Sequence, residues 1–204
     1  MLLFVGLGNP TPDSENNRHN VGFKLIDALN KKFGLSKQKP KFKGLLTTGI
    51  IEEEKVYAIK PLTFMNNSGI CIRELIEYFK IESEDVIVFH DDLDINFGKV
   101  KAKFGGSSAG HNGIESIDNF IGKDYSRVRI GIGMGNGKTN VTDHVLKDFD
   151  EEEKITKKIL GKKFFLTINK FSKTKTFTNN YVFASFSSNQ KLQKAIHTFL
   201  FEAT

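Results

Sequence analysis

Two uninterrupted apolar runs constrain this chain most: Leu2 to Leu7 close to its start, and "DVIVF", Asp85 to Phe89, near its middle. Runs so short and continuous, each stopped by turn-forming or polar residues, read as strands buried on both faces. Helical spacing separates them. Val21, Leu25, Ile26, Leu29 and Phe33 recur on one helical face, with Gly34 where a C-cap is expected and Asn20 or a neighbour at the start. Ile70, Leu75, Ile76 and Phe79 mark a second helix, and Ile114, Ile117 and Ile121 a third. Leu45 to Ile51 and Lys55 to Ile59 read as strands joined by the acidic turn Glu52–Glu54, and Lys99 to Phe104 as another. "RVRIGIGMG" from Arg127 alternates charge and apolarity as a half-exposed strand does. Interleaved strands and helices predict an α/β fold: a single domain with a mixed, twisted β-sheet surrounded by α-helices.

With 204 residues, 39% of them apolar, the chain can bury the core such a domain needs. Its one cysteine, Cys71, excludes an internal disulfide framework and a cysteine-rich zinc module, and makes a reducing cytoplasm the expected compartment. "MLLFVGLGNP" has no basic leader, and no segment approaches the ~18 apolar residues of a membrane span, so a soluble, unprocessed protein is expected. The net charge of +6 is unevenly spread: residues 1–150 carry 20 basic and 20 acidic side chains, and residues 151–204 carry 10 and 4. Any anion-binding surface on the body must come from local clusters, such as Lys99, Lys101 and Lys103. Composition shifts again after about residue 158. The stretch from Gly161 is dense in Phe, Lys, Thr, Asn and Ser without sustained period, which fits either a divergent basic C-terminal segment or a stretch read in a shifted frame. The expected division is therefore a domain over 1–158 and a separate basic segment over 159–204.

In open α/β sheets, the loops after the carboxyl ends of the strands line a crevice where distant side chains converge. Here those loops deliver Asn9 and His19, Met65 and Asn66, Asp91, and His111 with Asn112. A neutral imidazole beside a carboxylate can take a proton from water, while carboxamides bind polar groups and stabilise developing oxyanions without adding charge. That inventory suits hydrolysis without a covalent intermediate. No Gly-x-Ser-x-Gly elbow occurs, and Cys71 falls inside the second expected helix. Blander readings stand beside each element. "GLGNPTP" lacks the third glycine of a dinucleotide loop. "HDDLD", His90 to Asp94, fits a metal site or, better, a solvated turn. "GGSSAGHNG" fits either a phosphate cradle or a connection, and Met65 fits core filling.

Taken in order, "VGLGNP", "RHNVGF", "KPLTFMNNSG", "VIVFHDDLD", "GGSSAGHNG", "RVRIGIG" and "HVLKDF" resemble the bacterial peptidyl-tRNA hydrolases over about residues 1–150. The resemblance implies a cytoplasmic, monomeric enzyme without cofactor or metal, cleaving the ester between peptide and tRNA. It implies His19 as general base, oriented by Asp91, with Asn9 beside them in the catalytic set. Asn66, Asn112, Met65 and His111 would then contact or support the peptide and the terminal adenosine end, and Lys103 and Arg129 the tRNA 5′-phosphate. Two departures stand out. Ala109 replaces a usual glycine, stiffening its loop, and after about Lys158 the family's amphipathic C-terminal helix with its Met-Asn ending is not recognisable. The competing readings are a non-catalytic RNA-binding module, which would need neither His19 nor Asp91, and a nucleotide-dependent enzyme, which lacks a P-loop lysine.

Overall fold

The computed structural model describes residues 1–51, 54–134 and 140–150; the expected boundary at 158 and the segment 159–204 lie outside the described residues. The first apolar run is β1 (Leu2–Gly6), buried along its whole length. A loop and a single 3-10 turn at Arg18–Asn20 lead into α1 (Val21–Phe33), which ends where Gly34 takes the left-handed φ of 58°. A short edge strand β2 (Lys39–Lys41) and two long strands, β3 (Gly44–Ile51) and β4 (Glu54–Pro61), form an antiparallel meander. Next come a 3-10 turn at Met65–Asn67, α2 (Ser68–Phe79), β5 (Val86–Asp92) and β6 (Val100–Phe104). The described chain closes with α3 (Asn112–Ile121), β7 (Ser126–Gly131) and the short α4 (Val141–Leu146).

The strands form one seven-stranded sheet in the order β2-β3-β4-β1-β5-β7-β6. Its centre, β4-β1-β5-β7, is parallel, and β2, β3 and β6 add antiparallel edges. Because every central strand is covered on both faces, its side chains split into two cores. Leu2, Phe4, Ile87, Phe89 and Val128 pack with Ile26 and Leu29 of α1. Leu3, Val5, Val86 and Val88 pack with Ile72 and Leu75 of α2 and Ile114 and Ile117 of α3. Edge-to-face contact between Phe4 and Phe89, centroids 5.8 Å apart, couples the two central strands on the α1 side.

Three features differ from the sequence-based expectation. β2 carries only exposed residues, so it has no apolar alternation to announce it, and Pro40 is tolerated because the strand is an edge. β5 runs on through His90, Asp91 and Asp92, so the first three residues of the polar run are strand, held by pairing with β7, and only Leu93 and Asp94 form a turn. Arg127 is buried at 1% exposure, although alternation placed it on a half-exposed face. Its charge is compensated inside: Nη2 donates to Asp118 at 2.7 Å, Nη1 to the Ser107 carbonyl at 2.9 Å, and Tyr125 lies under the guanidinium.

α1 approaches the sheet closely at Gly22. A Cβ there would overlap the Leu7 amide and the Phe89 carbonyl, and one at Gly6 would overlap the Gly22 carbonyl. Backbone contacts replace side chains: Leu7 N–H donates to Phe89 O, and Phe23 N–H to Leu7 O. The start of α1, and with it the turn carrying His19, is thereby fixed against β1 and β5. Gly22→Ala is expected to cost about 1–3 kcal/mol through overpacking against rigid backbone. Thermal denaturation checks this.

Candidate active site

The carboxyl ends of β1 and β5, with the loops before α1, α2 and α3, meet at one edge of the sheet. Asp91, at 2% exposure, is the centre of this edge. His19 Nδ1 lies 2.9 Å from Asp91 Oδ1 and 3.0 Å from Oδ2, and His111 Nε2 lies 3.0 Å from Oδ1. The proton positions follow from the partners. His111 precedes α3 as its N-cap, and its Nδ1 accepts from the amides of Gly113 (3.1 Å) and Ile114 (3.3 Å). Nδ1 therefore carries a lone pair and Nε2 carries the proton that Asp91 accepts. His19 likewise presents Nδ1–H to the carboxylate, which leaves the lone pair on Nε2. One imidazole is thus held as a donor by a helix end, and the other keeps a lone pair on Nε2.

His19, Asp91 and His111 also have the composition of a metal site, with candidate ligand atoms within 4.8 Å of one another. The donor set argues otherwise. Ligation through His111 Nε2 would move its proton to Nδ1, against two backbone N–H donors, and would uncap α3.

The asparagines are placed by each other. Asn20 Oδ1 accepts from the Asn9 amide at 2.8 Å, and Asn20 Nδ2 donates to the Asn9 carbonyl at 2.9 Å, a two-bond lock across the loop. Although Asn20 stands at the N-cap position of α1, its side chain does not cap the helix. Asn9 Oδ1 in turn accepts from the Met65 amide at 2.9 Å, so Nδ2 is the group Asn9 can offer to a substrate. Phe64, with φ 61° and ψ 162°, is in a region that normally requires glycine, and this strained bend aims the Met65 amide at Asn9. Met65 is buried, with Sδ against Gly113, which brings the Met65–Asn67 turn beside the start of α3. Asn66 and Asn112 are exposed at that rim.

Lys103 and Arg129 share one face of the β6–β7 pair with Lys101 and Arg127. Arg129 Nε donates to Asp92 at 2.6 Å, and Lys103 Nζ donates to the Ser107 carbonyl at 3.3 Å. Partial burial, and then the repulsion of Arg127 and Arg129, lower the Lys103 ammonium from its ordinary value. Cys71 is fully buried, and burial pushes its thiol up to about 12, so it is no nucleophile at neutral pH. Ala109 adopts a φ of 49°, the left-handed conformation that glycine takes without strain, and the bond from its amide to Ser107 Oγ supports the bend.

Three contributors were not assigned a site role from sequence. Asn20 was read only as a helix start, and the density of asparagine on both sides of the loop was the available signal for its lock. Arg18 is buried against residues 144–148. His90, at 3% exposure, donates from Nδ1 to the Asp91 carbonyl at 2.7 Å and meets the ring of His111 edge to face. Its apolar strand surroundings are visible in the sequence, which places His111 and not His90 in the crevice, but its packing behind His111 is not.

The fold and site together define a class: a mixed-sheet α/β protein with an imidazole–carboxylate pair and a group of carboxamides at the carboxyl edge of its parallel centre. The comparisons narrow that class. The family model described as peptidyl-tRNA hydrolase matches residues 3–191. Peptidyl-tRNA hydrolase of Pelagibacter ubique (strain HTCC1062) is 77% identical over 185 residues, covering 88% of this chain and all of that protein. The enzyme of the same description from Geobacillus kaustophilus (strain HTA426) is 50% identical over 155 residues, 76% of this chain and 83% of its own length. Among solved structures, peptidyl-tRNA hydrolase from Acinetobacter baumannii superposes with a TM-score of 0.77 at 32% identity, covering 97% of this chain and 94% of that one. The chain belongs to the peptidyl-tRNA hydrolase family.

The site's buried groups fix a pH response. Burial lowers His90 well below the usual imidazole value, with His111 adding to the effect and Asp91 opposing it. The unfolded chain takes up a proton below about pH 6.5 that folded His90 refuses. Its contribution to stability is therefore complete above that pH and is lost on acidification. Asp91 adds a later loss. Burial would raise its carboxyl, but the two imidazoles outweigh burial and hold it below the usual carboxylate range, so its contribution falls away below about pH 4. His90→Asn, in which Nδ2 can keep the bond to the Asp91 carbonyl, should flatten the melting temperature between about pH 6.5 and 5 while leaving the loss below about pH 4.

Proposed function

We propose that the chain hydrolyses the ester joining a peptide to the terminal ribose of its tRNA, with His19 as general base. The observation that carries this reading is the bond from His19 Nδ1 to both oxygens of buried Asp91, which leaves Nε2 as the basic nitrogen. Water gives a proton to Nε2 as its oxygen attacks the ester carbonyl, and Asp91 stabilises the imidazolium that forms. The ribose oxygen leaves, taking that proton, so peptide acid and tRNA hydroxyl are released without a covalent enzyme intermediate. An ester is a good leaving group compared with an amide, so one base and positioned amides suffice.

Carboxamides supply the positioning. Asn9, fixed through Oδ1, donates from Nδ2, while Asn66 and Asn112 reach peptide-backbone and terminal-adenosine groups from the rim. Met65 lines the peptide side, and His111 keeps Asp91 oriented without entering proton transfer. Because these contacts are to groups every peptidyl-tRNA shares, specificity is for the junction and not for a peptide sequence. Lys103 and Arg129 take the tRNA phosphates, the Asp92 bond fixing the Arg129 guanidinium at its edge of the sheet. The reading is of a cytoplasmic enzyme acting as a monomer. No helix among the described residues is long and apolar enough to cross a membrane.

Hydrolysis of a purified peptidyl-tRNA in the presence of EDTA tests the assignment. His19→Ala should lose about 10²–10⁴-fold in kcat, the usual contribution of a general base, with tRNA still bound. Equal turnover by both proteins would remove His19 from its role, and binding without turnover by either would favour an RNA-binding module.

Lys103→Ala should weaken binding while leaving kcat at saturation near the wild-type value. The slope of log K against log salt should fall by about 0.7–0.9, the value for one lost phosphate contact. An unchanged slope would place the phosphate contacts elsewhere.

A further inference from the structure

The motif "HVLKDF", His144 to Phe149, has no part in the proton transfer just described, yet it is the partner of the residue immediately before His19. Arg18 is 4% exposed, and its Nη1 donates to three backbone carbonyls, those of His144 (3.4 Å), Lys147 (3.1 Å) and Asp148 (2.9 Å). The Arg18 amide donates to the Lys147 carbonyl at 3.2 Å, Asn17 pairs with Asp148 in an isolated β-bridge, and the guanidinium carbon lies 5.4 Å from the centre of the Phe149 ring. Residues at the far end of the described chain thus hold one side of the His19 turn. Asn20, on the other side, is committed to Asn9.

The segment that receives Arg18 is itself anchored. Val145 and Phe149 pack with Ile132, just past the end of β7, and Leu93 and Phe97 from the loop between β5 and β6 cover them. His19 therefore lies between two fixed neighbours: Arg18 fastened to residues 144–148, and Asn20 fastened to the Asn9 loop. A single 3-10 turn between two such anchors leaves the imidazole little freedom to swing away from Asp91. The carbonyls of His144 and Lys147 lie at the C-terminal end of α4, where the His144 oxygen also accepts from the Lys147 amide at 3.4 Å and the partial negative charge favours a cation. A planar guanidinium can serve several carbonyls at once, which a lysine ammonium on a flexible stem does less well.

We infer that Arg18 is a positioning residue for the hydrolysis: by fastening the His19 turn to residues 144–148, it holds the His19 ring at hydrogen-bond distance from Asp91. The inference rests on the reading of His19 as the base. It gives "HVLKDF" a function, that of a backbone receptor for Arg18, and it makes the geometry of the base depend on a segment more than 120 residues away in sequence.

The test is a double-mutant cycle on the full chain, with kcat and KM measured separately. Arg18→Ala should lower kcat about 100-fold, the scale of a 1 Å misplacement of a catalytic group, with KM unchanged. In a His19→Ala background the same change should have no further effect, because the base it positions is gone. A wild-type kcat for Arg18→Ala, a loss confined to KM, or an equal loss in both backgrounds would overturn the inference while leaving His19 as base. Full activity of His19→Ala alone would instead overturn the reading beneath it. If Arg18→Ala fails to fold, Arg18→Lys serves: kcat should fall between wild type and His19→Ala at unchanged KM, and a wild-type kcat would refute the role. Proton NMR adds a signature that general destabilisation would not produce. The low-field Nδ1–H resonance, assigned by its absence in His19→Ala, should broaden or vanish in Arg18→Lys while the His111 Nε2–H resonance persists; retention of both would count against the inference.

Discussion

A carboxylate almost wholly removed from water is the interaction on which this site turns. Asp91 cannot keep its charge at the end of β5 unless donors replace the lost solvent, and two imidazoles do so through three short contacts. That requirement reaches outward. His111 can donate from Nε2 only because the start of α3 gives it two amides to accept from, and His19 can donate from Nδ1 only because its turn is held where α1 meets β1 and β5. The glycine contact at Gly6 and Gly22 and the His111 cap of α3 are conditions for one buried charge to be stable. A charged group so placed is expensive to bury with a single partner, and with two it becomes a fixed reference for the geometry around it.

The parallel centre of the sheet was legible because its strands are continuous apolar runs, and α1 to α3 because their apolar residues recur at helical spacing. The antiparallel pair β3–β4 was legible as two strand-like runs on either side of an acidic stretch, of which Glu54 is already strand and residues 52 and 53 lie outside the described residues. What escaped had a physical reason in each case. β2 is exposed throughout and α4 is only six residues long, so neither has a hydrophobic pattern to read. Arg127 alternates like a surface residue but is buried because Asp118, on α3, lies over it, and a single chain read in order does not show which helix will cover which strand.

For the site, the sequence named the residues that converge but not how they hold each other. His19, Asp91 and His111 were placed on loops sharing one sheet edge, and they lie in one hydrogen-bonded chain. The Asn9–Asn20 lock and the strained Phe64 bend were not visible, because side-chain amides bonded to backbone leave no periodic trace. His90 shows the same limit. Its position in an apolar strand argued for burial, yet only the packing of its ring on His111 shows that it lies directly behind the Asp91–His111 contact.

On the proposed reading the attacking group is water, and the described side chains are in keeping with that. The only thiol is buried and pushed up to about 12, far from any ionised form at neutral pH. On the proposed reading, what remains is a base with one free nitrogen and amides whose orientation is set by backbone partners: Asn9 by Met65, and Asn20 by Asn9. Positioning has then replaced reactivity. Each contributing group is ordinary in its chemistry, and the rate must come from holding them together, which places the burden on the anchors of the His19 turn. Those anchors come from residues 9 and 20 near one end of the sequence and 144–148 near the end of the described chain. The site is therefore a product of the whole sheet, and the loops that carry its side chains cannot be understood apart from the strands that bring them to one edge.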